Sequence, residues 1–428
     1  VIVHTWGRSA SCTPAEQRVC SSEAEIADVV RAAAQAGRKV KAIGAGHSWS
    51  DCAMTDGVLV RVDGLSSVRV DKQRGLVRVG AGLPLRALND ALAAEGLALP
   101  IVGSIAAQSI AGVVSTGTHG SSLRHGNLST GVVGLRIVNG RGEVVALEDS
   151  DPRLPGARVA LGALGIVTEV TLRVGPAFKV VQEMEPVDFD RAVAALPALP
   201  HEAEYGKLWW FPHTNRALVF RGRRTTEPPT FSEQARALDE RLLNGIVFAG
   251  LLGLGARAPA LIPALNRMIA LSYATPRRVV GRSDHVLSLA MPPRHRECEW
   301  AVPVDAGPAL VRATRDLIER RGFRVNFIFE ARFVRGDDTW LSPAYGQDVM
   351  QIGAYSANPG DHEAFFDAFA AIAREMGGRP HWGKEASFTP MDVAGWYPEL
   401  PRFRALARDL DPDGVFRTPF VERVLGAD

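Results

Sequence analysis

Two small-residue loops and one charged pair carry the legible chemistry of this chain. The first loop is Gly44-Ala45-Gly46-His47-Ser48-Trp49; the second holds Gly103-Ser104, Ser109-Ile110-Ala111-Gly112 and Ser115-Thr116-Gly117-Thr118-His119-Gly120. Ser and Thr hydroxyls donate to phosphate oxygens, and glycines let a backbone approach a phosphate or a planar ring closely. The first loop begins like the GxGxxG dinucleotide fingerprint, with Asp63 about 20 residues on. Trp49 stands where the third glycine belongs, however, and HSWSDCAMTDG has no apolar helical face. The helix whose N-terminus would hold a pyrophosphate is therefore missing, which disfavours a classical NAD site and leaves a nest of backbone N–H groups as the alternative. By composition alone the second loop reads equally as a plain loop or as a site. Glu330 and Arg332 in the string FEARF alternate on a strand pattern, which puts carboxylate and guanidinium on one face about 7 Å apart. The pair is either a structural ion pair or a functional one; its apolar neighbours imply burial, where an unneeded charge is costly, and this favours function.

These residues need a scaffold, and 428 residues at roughly 150 per domain give about two or three domains. A composition with 46% hydrophobic and 22% charged residues excludes disordered, collagen-like and coiled-coil chains. The 49 Lys plus Arg against 47 Asp plus Glu leave a net +2, too little to drive binding to nucleic acid or to an acidic membrane. Cys12, Cys20, Cys52 and Cys298 are too scattered for a metal knuckle or a disulfide framework and read as reduced thiols. The apolar stretch Ile246 to Leu254, broken by Arg257, is too short to span a membrane and reads as a buried core helix. With no signal-peptide pattern, a cytoplasmic location is expected.

Along the chain, Ser22 and Glu25 have capping-box spacing before a helix that Gly37 stops. Strands follow at 39–43 and 58–62, a hairpin at 67–71 and 76–79, a helix opened by Pro84 with Leu85, Leu88 and Leu92 on one face, and strands at 132–138 and 143–147. The segment 103–122 reads as loop, and GALGIVTEVTLRV at 162–174 as a turn feeding a strand. Past residue 176 the texture changes, with an apolar helical region at 233–272 and then strand, helix, strand, strand, helix from Val302 to Arg379, the pattern of an antiparallel sheet with helices on one face.

The strings KAIGAGHSWSDCAMTDG, QSIAGVVSTGTHGS, GALGIVTEVTL, FEARF and RPHWGK, in this order, resemble the sugar-1,4-lactone oxidase and alditol oxidase branch of the vanillyl-alcohol-oxidase family of FAD-linked oxidases. The resemblance runs from Trp6 and Gly7 to the VERVLG ending. It implies an α+β fold of two domains: an FAD-binding domain over 1–175 to which 385–428 returns, and a cap domain with an antiparallel sheet over 176–384. It implies FAD bound around Gly44, Ala45, Gly46, His47 and Ser48, with His47 linked covalently to the flavin. Ser104, Ser109, Gly112, Thr116, Gly117, Thr118, His119, Ile166 and His381 are the further cofactor positions it implies.

On the substrate side the resemblance implies Ser104, Glu330, Arg332, Ser356 and Lys384, of which Glu330, Arg332 and Lys384 are the catalytic set. Lys384 is expected beside the flavin N1 and C2 carbonyl. No metal is expected. The expected reaction passes hydride from a sugar-1,4-lactone alcohol to FAD, with O2 reduced to H2O2 because Gly103 leaves space at the flavin. Alditol oxidases carry a histidine in the strand that reads VMQIGAYSAN here, and Ala354 in its place ranks aldonolactones above alditols; at a register shifted by one residue Tyr355 takes that place instead. A dehydrogenase with a cytochrome or another acceptor and a glycoside oxidase of specialised metabolism stay open, and so does the oligomeric state.

Overall fold

Ser22 accepts the Glu25 N–H and starts the helix Glu23–Gln35, which buries Ile26, Val30 and Ala33. The Glu25 carboxylate reaches back to the Ser21 N–H at 2.7 Å, one residue before the cap. This helix shares a core with a parallel three-stranded sheet in the order Glu16–Val19, Val58–Arg61, Val40–Ile43. The computed structural model describes residues 1–232, 246–289, 292–358 and 360–426.

A second sheet, of five antiparallel strands, runs in the order Val144–Glu148, Val132–Val138, Ile166–Arg173, Leu76–Gly80, Val68–Asp71. The helix Leu85–Ala94 buries Leu85, Leu88 and Leu92 completely, as their spacing of three and four requires. The core of this part also takes Val393, Tyr397, Phe403 and Phe420 from three C-terminal helices, so the chain beyond 385 returns to the N-terminal part.

The third sheet organises the site. Its eight antiparallel strands run Arg277–Arg282, Lys179–Asp188, Arg216–Thr225, Tyr205–Trp210, Phe329–Val334, Val349–Ser356, Arg296–Pro303, Arg379–Pro380. One face buries Trp210, Phe329, Phe333, Ile352 and Trp300 with Leu310 of the helix Gly307–Arg321 and Phe369 of His362–Glu375. The other face looks onto the two small-residue loops.

Two sequence expectations are corrected. The stretch 103–122 is not all loop, because Ile110–Ser115 forms a helix whose Ile110, Val113 and Val114 are buried; surrounding small residues obscure that apolar triad. The stretch Ile246 to Leu254 is not a buried core helix: in and before the helix Ala249–Arg257, Leu252 is buried but Ile246 is 62% exposed and Leu254 45%. Of the apolar region expected at 233–272, residues 233–245 lie outside the described residues. No described helix is long and apolar enough to cross a membrane.

Phe369 is fully buried and meets Phe329 edge-on at a centroid distance of 6.0 Å. Phe369→Ala is expected to lower stability by about 3–5 kcal/mol through lost burial and a residual cavity. Denaturant titration of the variant beside the parent chain measures this.

Candidate active site

Alternate residues of a strand share a face, so the register decides what faces the loops. Lys207 pairs with Arg332 and Trp209 with Glu330; Glu330 pairs with Gly353 and Arg332 with Gln351; Glu297 pairs with Tyr355 and Glu299 with Gly353. These positions fall on one face, while Leu208, Ala331, Ala354 and Cys298 between them enter the helix-packed core. The face closes one side of a cavity of about 600 Å³. The opposite side holds His47, Ser48, Ser104, Thr116, Thr118 and His119, with Gly383 and Lys384 at the edge.

Four groups surround the Glu330 carboxylate. Trp209 Nε1 donates to Oε1 at 2.7 Å and Lys207 Nζ at 3.2 Å; Tyr355 Oη donates to Oε2 at 3.2 Å, and Arg332 Nε lies 3.3 Å away. Burial pushes the carboxyl up, but Arg332 and Lys207, with the Trp209 hydrogen bond, outweigh it and hold the group at about 2. Burial pulls Lys207 down against the attraction of Glu330. Arg332 donates to Glu299 Oε1 at 2.6 Å and to Ser104 Oγ at 3.1 Å, which ties the cap sheet to the second loop. Burial also works against the Glu299 charge, and Arg332 with His119 holds it well below the ordinary carboxylate range.

Both ring nitrogens of His119 face oxygens, Gly120 O at 2.9 Å and Glu299 Oε1 at 3.3 Å. His381 differs. Its Nδ1 accepts the Gly383 N–H at 3.0 Å, and burial lowers its pKa to about 3, so it stays neutral. Lys384 pairs with Glu297 and lies 4.1 Å above the Trp49 ring, while the Trp49 N–H donates to Gly383 O at 2.6 Å. The first loop is thereby stitched to the HWGK string. His119, Glu299 and His381 place their ligand atoms within 4.8 Å of one another, a spacing open to a metal, but Arg332 and Lys384 already supply the positive charge there.

The sequence-derived residues sort into those that line the cavity and those that do not. His47, Ser48, Ser104, Thr116, Thr118, His119, Glu330, Arg332, His381 and Lys384 line the cavity. Gly44, Ala45, Gly46, Ser109, Gly112, Gly117 and Ile166 stand outside its lining. A Cβ on Gly44 would sit 1.9 Å from Ser109 Oγ, so these two residues clamp the loops together, and Gly46 has the positive φ that favours glycine. Ile166 belongs to the core beneath the first sheet.

Ser356 is a correction. It lies on the buried helix-facing side of its strand, and its hydroxyl bonds Asn358 O at 3.4 Å and the Asn358 N–H at 3.1 Å. Tyr355 occupies the cavity instead. Ala354 likewise faces the helices, so a one-residue register error separated the expectation from the site; the neighbouring Gly353 faces inward, with the Tyr355 ring over it. A Cβ at Gly103 would meet Thr118 Cγ2 at 2.8 Å, so a larger residue there requires Thr118 to move.

Lys207, Trp209, Glu297 and Glu299 were missed from sequence, whereas Tyr355 was the alternative to Ala354 at a register one residue on. Alternation was the available signal: Glu297-Cys298-Glu299-Trp300 has the same one-face spacing as Glu330 and Arg332.

With this geometry in view, comparisons with known proteins give the class. Residues 170–424 match the family described as D-arabinono-1,4-lactone oxidase, and residues 15–148 match an FAD binding domain. The chain is 36% identical over 423 residues to L-gulono-1,4-lactone dehydrogenase of Mycobacterium tuberculosis, covering 98% of each chain. It is 31% identical over 427 residues to L-gulonolactone oxidase of Scyliorhinus torazame, covering 98% of this chain and 97% of the relative. In fold it is similar to a solvent-stable cholesterol oxidase, with a TM-score of 0.84, 18% identity, and coverage of 100% of this chain and 97% of the other. The fold is that of a two-domain FAD-linked oxidoreductase. The chain belongs to the D-arabinono-1,4-lactone oxidase family, and its cofactor is FAD.

The residues present fit that cofactor. His47 Nδ1 is buried without a hydrogen-bond partner, its ring lines the cavity, and burial with the nearby Lys384 charge keeps the imidazole toward its neutral form. The two loops approach where only glycine fits at Gly44, and they present Ser48, Ser104, Thr116 and Thr118 to the same space.

The folded pKa of Glu330 lies below the value of about 4.3 for a free glutamate, so its charge stabilises the fold above about pH 4. That contribution is lost as pH falls toward 2. Glu330→Gln leaves Lys207 and Arg332 buried with less compensation and is expected to destabilise the protein at neutral pH by about 3–5 kcal/mol. Urea titrations at pH 7 and pH 3 are expected to show the gap between variant and parent narrowing in acid.

Proposed function

We propose that the protein oxidises a primary or secondary alcohol of a sugar-1,4-lactone of the gulono, galactono or arabinono type, with O2 reduced to H2O2. The observation that carries this reading is the charged sheet face set across one cavity from the glycine loops. FAD supplies the hydride acceptor when bound. His47 is the residue for its covalent attachment, because its Nδ1 is the buried ring nitrogen with no other bond to make. Four free cysteines suit a reducing, cytoplasmic setting.

The roles of the chain's own groups follow from their bonds. Glu330, surrounded by donors, serves as a fixed acceptor for substrate hydroxyls and not as the base. Arg332, beside Glu330 on the sheet face, and Ser104, across the cavity, orient the ring. Glu299 Oε2, buried and without a hydrogen-bond partner, accepts from the reacting hydroxyl. Lys384 brings positive charge to the loop side, where reduction adds negative charge to the cofactor. Oxygen as acceptor is supported by the oxidase names of the relatives and not by Gly103; the dehydrogenase name of the Mycobacterium tuberculosis relative supports the second reading, a cytochrome or another acceptor. Alditols rank below lactones as substrates.

Three measurements test the reading. Acid-precipitated protein is expected to stay yellow and His47→Ala protein to lose that colour; a colourless parent pellet rejects the covalent link. Lys384→Met is expected to slow anaerobic cofactor reduction by about 100-fold while changing lactone affinity much less, as stopped-flow traces across substrate concentrations will show. An oxygen electrode with peroxide detection decides the acceptor: dye turnover far above oxygen turnover favours the dehydrogenase.

A further inference from the structure

The cavity continues past the charged face into a wall of different chemistry. Phe211, Phe248, Leu251, Met268, Ile269 and Phe327 line it, all from the cap. None offers a side-chain hydrogen bond. An aromatic row joins this wall to the reacting end: Tyr355, bonded to Glu330, stacks on Phe327 at 5.5 Å, and Phe327 meets Phe248 at 5.3 Å. Apolar exposure continues outward on, and just before, the helices that supply Leu251 and Met268: Ile246 is 62% exposed, Val247 53%, Met268 48% and Leu271 67%. Single exposed apolar side chains need no explanation, but a cluster contiguous with a cavity marks a binding surface.

An unsubstituted aldonolactone does not match that wall. Its carbons carry hydroxyl, ring or carbonyl oxygens, and each oxygen set against Phe248 or Leu251 would lose water without gaining a partner. The charged face has bonds enough for one hydroxylated ring, whereas the wall formed by Phe327, Phe248 and Leu251 presents hydrocarbon; Ser272, Tyr273 and Arg277 are the polar side chains that line the cavity near Met268.

We infer that the preferred substrate is a sugar lactone carrying an apolar alkyl or aryl substituent, with its hydroxylated ring at Glu330 and Arg332 and its substituent along Phe327, Phe248 and Leu251. This rests on the lactone reading above and adds the substrate class to it. The outer wall acts through burial of hydrocarbon, so its effect appears in affinity and grows with chain length.

The test compares L-gulono-1,4-lactone with its 6-O-butanoyl and 6-O-octanoyl esters on the FAD-loaded protein, by anaerobic cofactor reduction and by calorimetric titration. The octanoyl ester is expected to bind at least about tenfold more tightly than the butanoyl ester, a modest share of the gain available from four further methylenes. Met268→Glu, at a half-exposed position, and Leu251→Glu are each expected to bring that ratio to within about twofold by placing a charge beside the hydrocarbon. Equal affinity for the two esters, with the cofactor reduced by the free lactone, overturns the inference and leaves lactone oxidation standing. If none of the three reduces the cofactor, the lactone reading falls, and the titrations still decide the outer wall: equal ester affinities overturn it. A chain-length gain that survives both variants also overturns it, because the hydrocarbon then binds elsewhere.

Discussion

The ion-pair lattice of Glu297, Glu299 and Glu330 with Lys207, Arg332 and Lys384 is the interaction on which the rest of the structure depends. A buried charge left alone costs more than one folded contact returns, so each member is tolerable only while its partners stay within reach. Three carboxylates face three cations, and the strands hold them at separations that side-chain flexibility alone would not maintain. The long antiparallel register follows from this need, since a slip of one residue would turn the entire set toward Phe365 and Phe369.

The lattice also joins the two halves of the molecule. Arg332 reaches Ser104 in the second loop, His119 in the same loop reaches Glu299, and Lys384 rests on Trp49 at the end of the first. Backbone bonds add to these contacts: the Trp49 N–H donates to Gly383 O, the Ser122 N–H to Phe333 O at 2.7 Å, and the Phe333 N–H to Ser121 Oγ at 3.0 Å. Neutralising one charge would therefore disturb the cofactor side as well as the substrate side, which couples stability to function more tightly than in a site built on one element.

Elements with an undiluted local signal were legible in sequence. Ser22 with Glu25, the Leu85, Leu88, Leu92 stripe and the strand at 132–138 formed where their periodicity placed them. The helix Ile110–Ser115 was hidden because glycine and serine around three apolar residues lower the helical pattern without preventing it when tertiary packing buries that face. Glu330 and Arg332 were legible through alternation, yet their partners Lys207 and Glu299 lie 123 and 33 residues from the members they bond, and sequence spacing says nothing of which strands will be neighbours. Ser356 and Ala354 were assigned inward because in a strand without polar alternation, VMQIGAYS, composition does not choose a face; the cross-strand pairing of Tyr355 with Glu297 does.

That same pairing explains why the cavity has two chemistries. Tyr355 is the last inward residue of its strand before the chain leaves the sheet at Ala357, and its hydroxyl ends the polar lattice at Glu330 while its ring begins the aromatic row through Phe327. Burial keeps the phenol well above its ordinary pKa, so it remains a donor to the carboxylate and adds no fourth negative charge to a balanced set. Beyond it Phe327, Phe248 and Leu251 carry no group that needs a polar partner, and hydrocarbon is the lining that costs least to bury. The boundary between the charged face and the apolar wall is thus set where the sheet runs out of cross-strand neighbours, and a ligand spanning it meets hydrogen bonds at one end and dispersion contacts at the other.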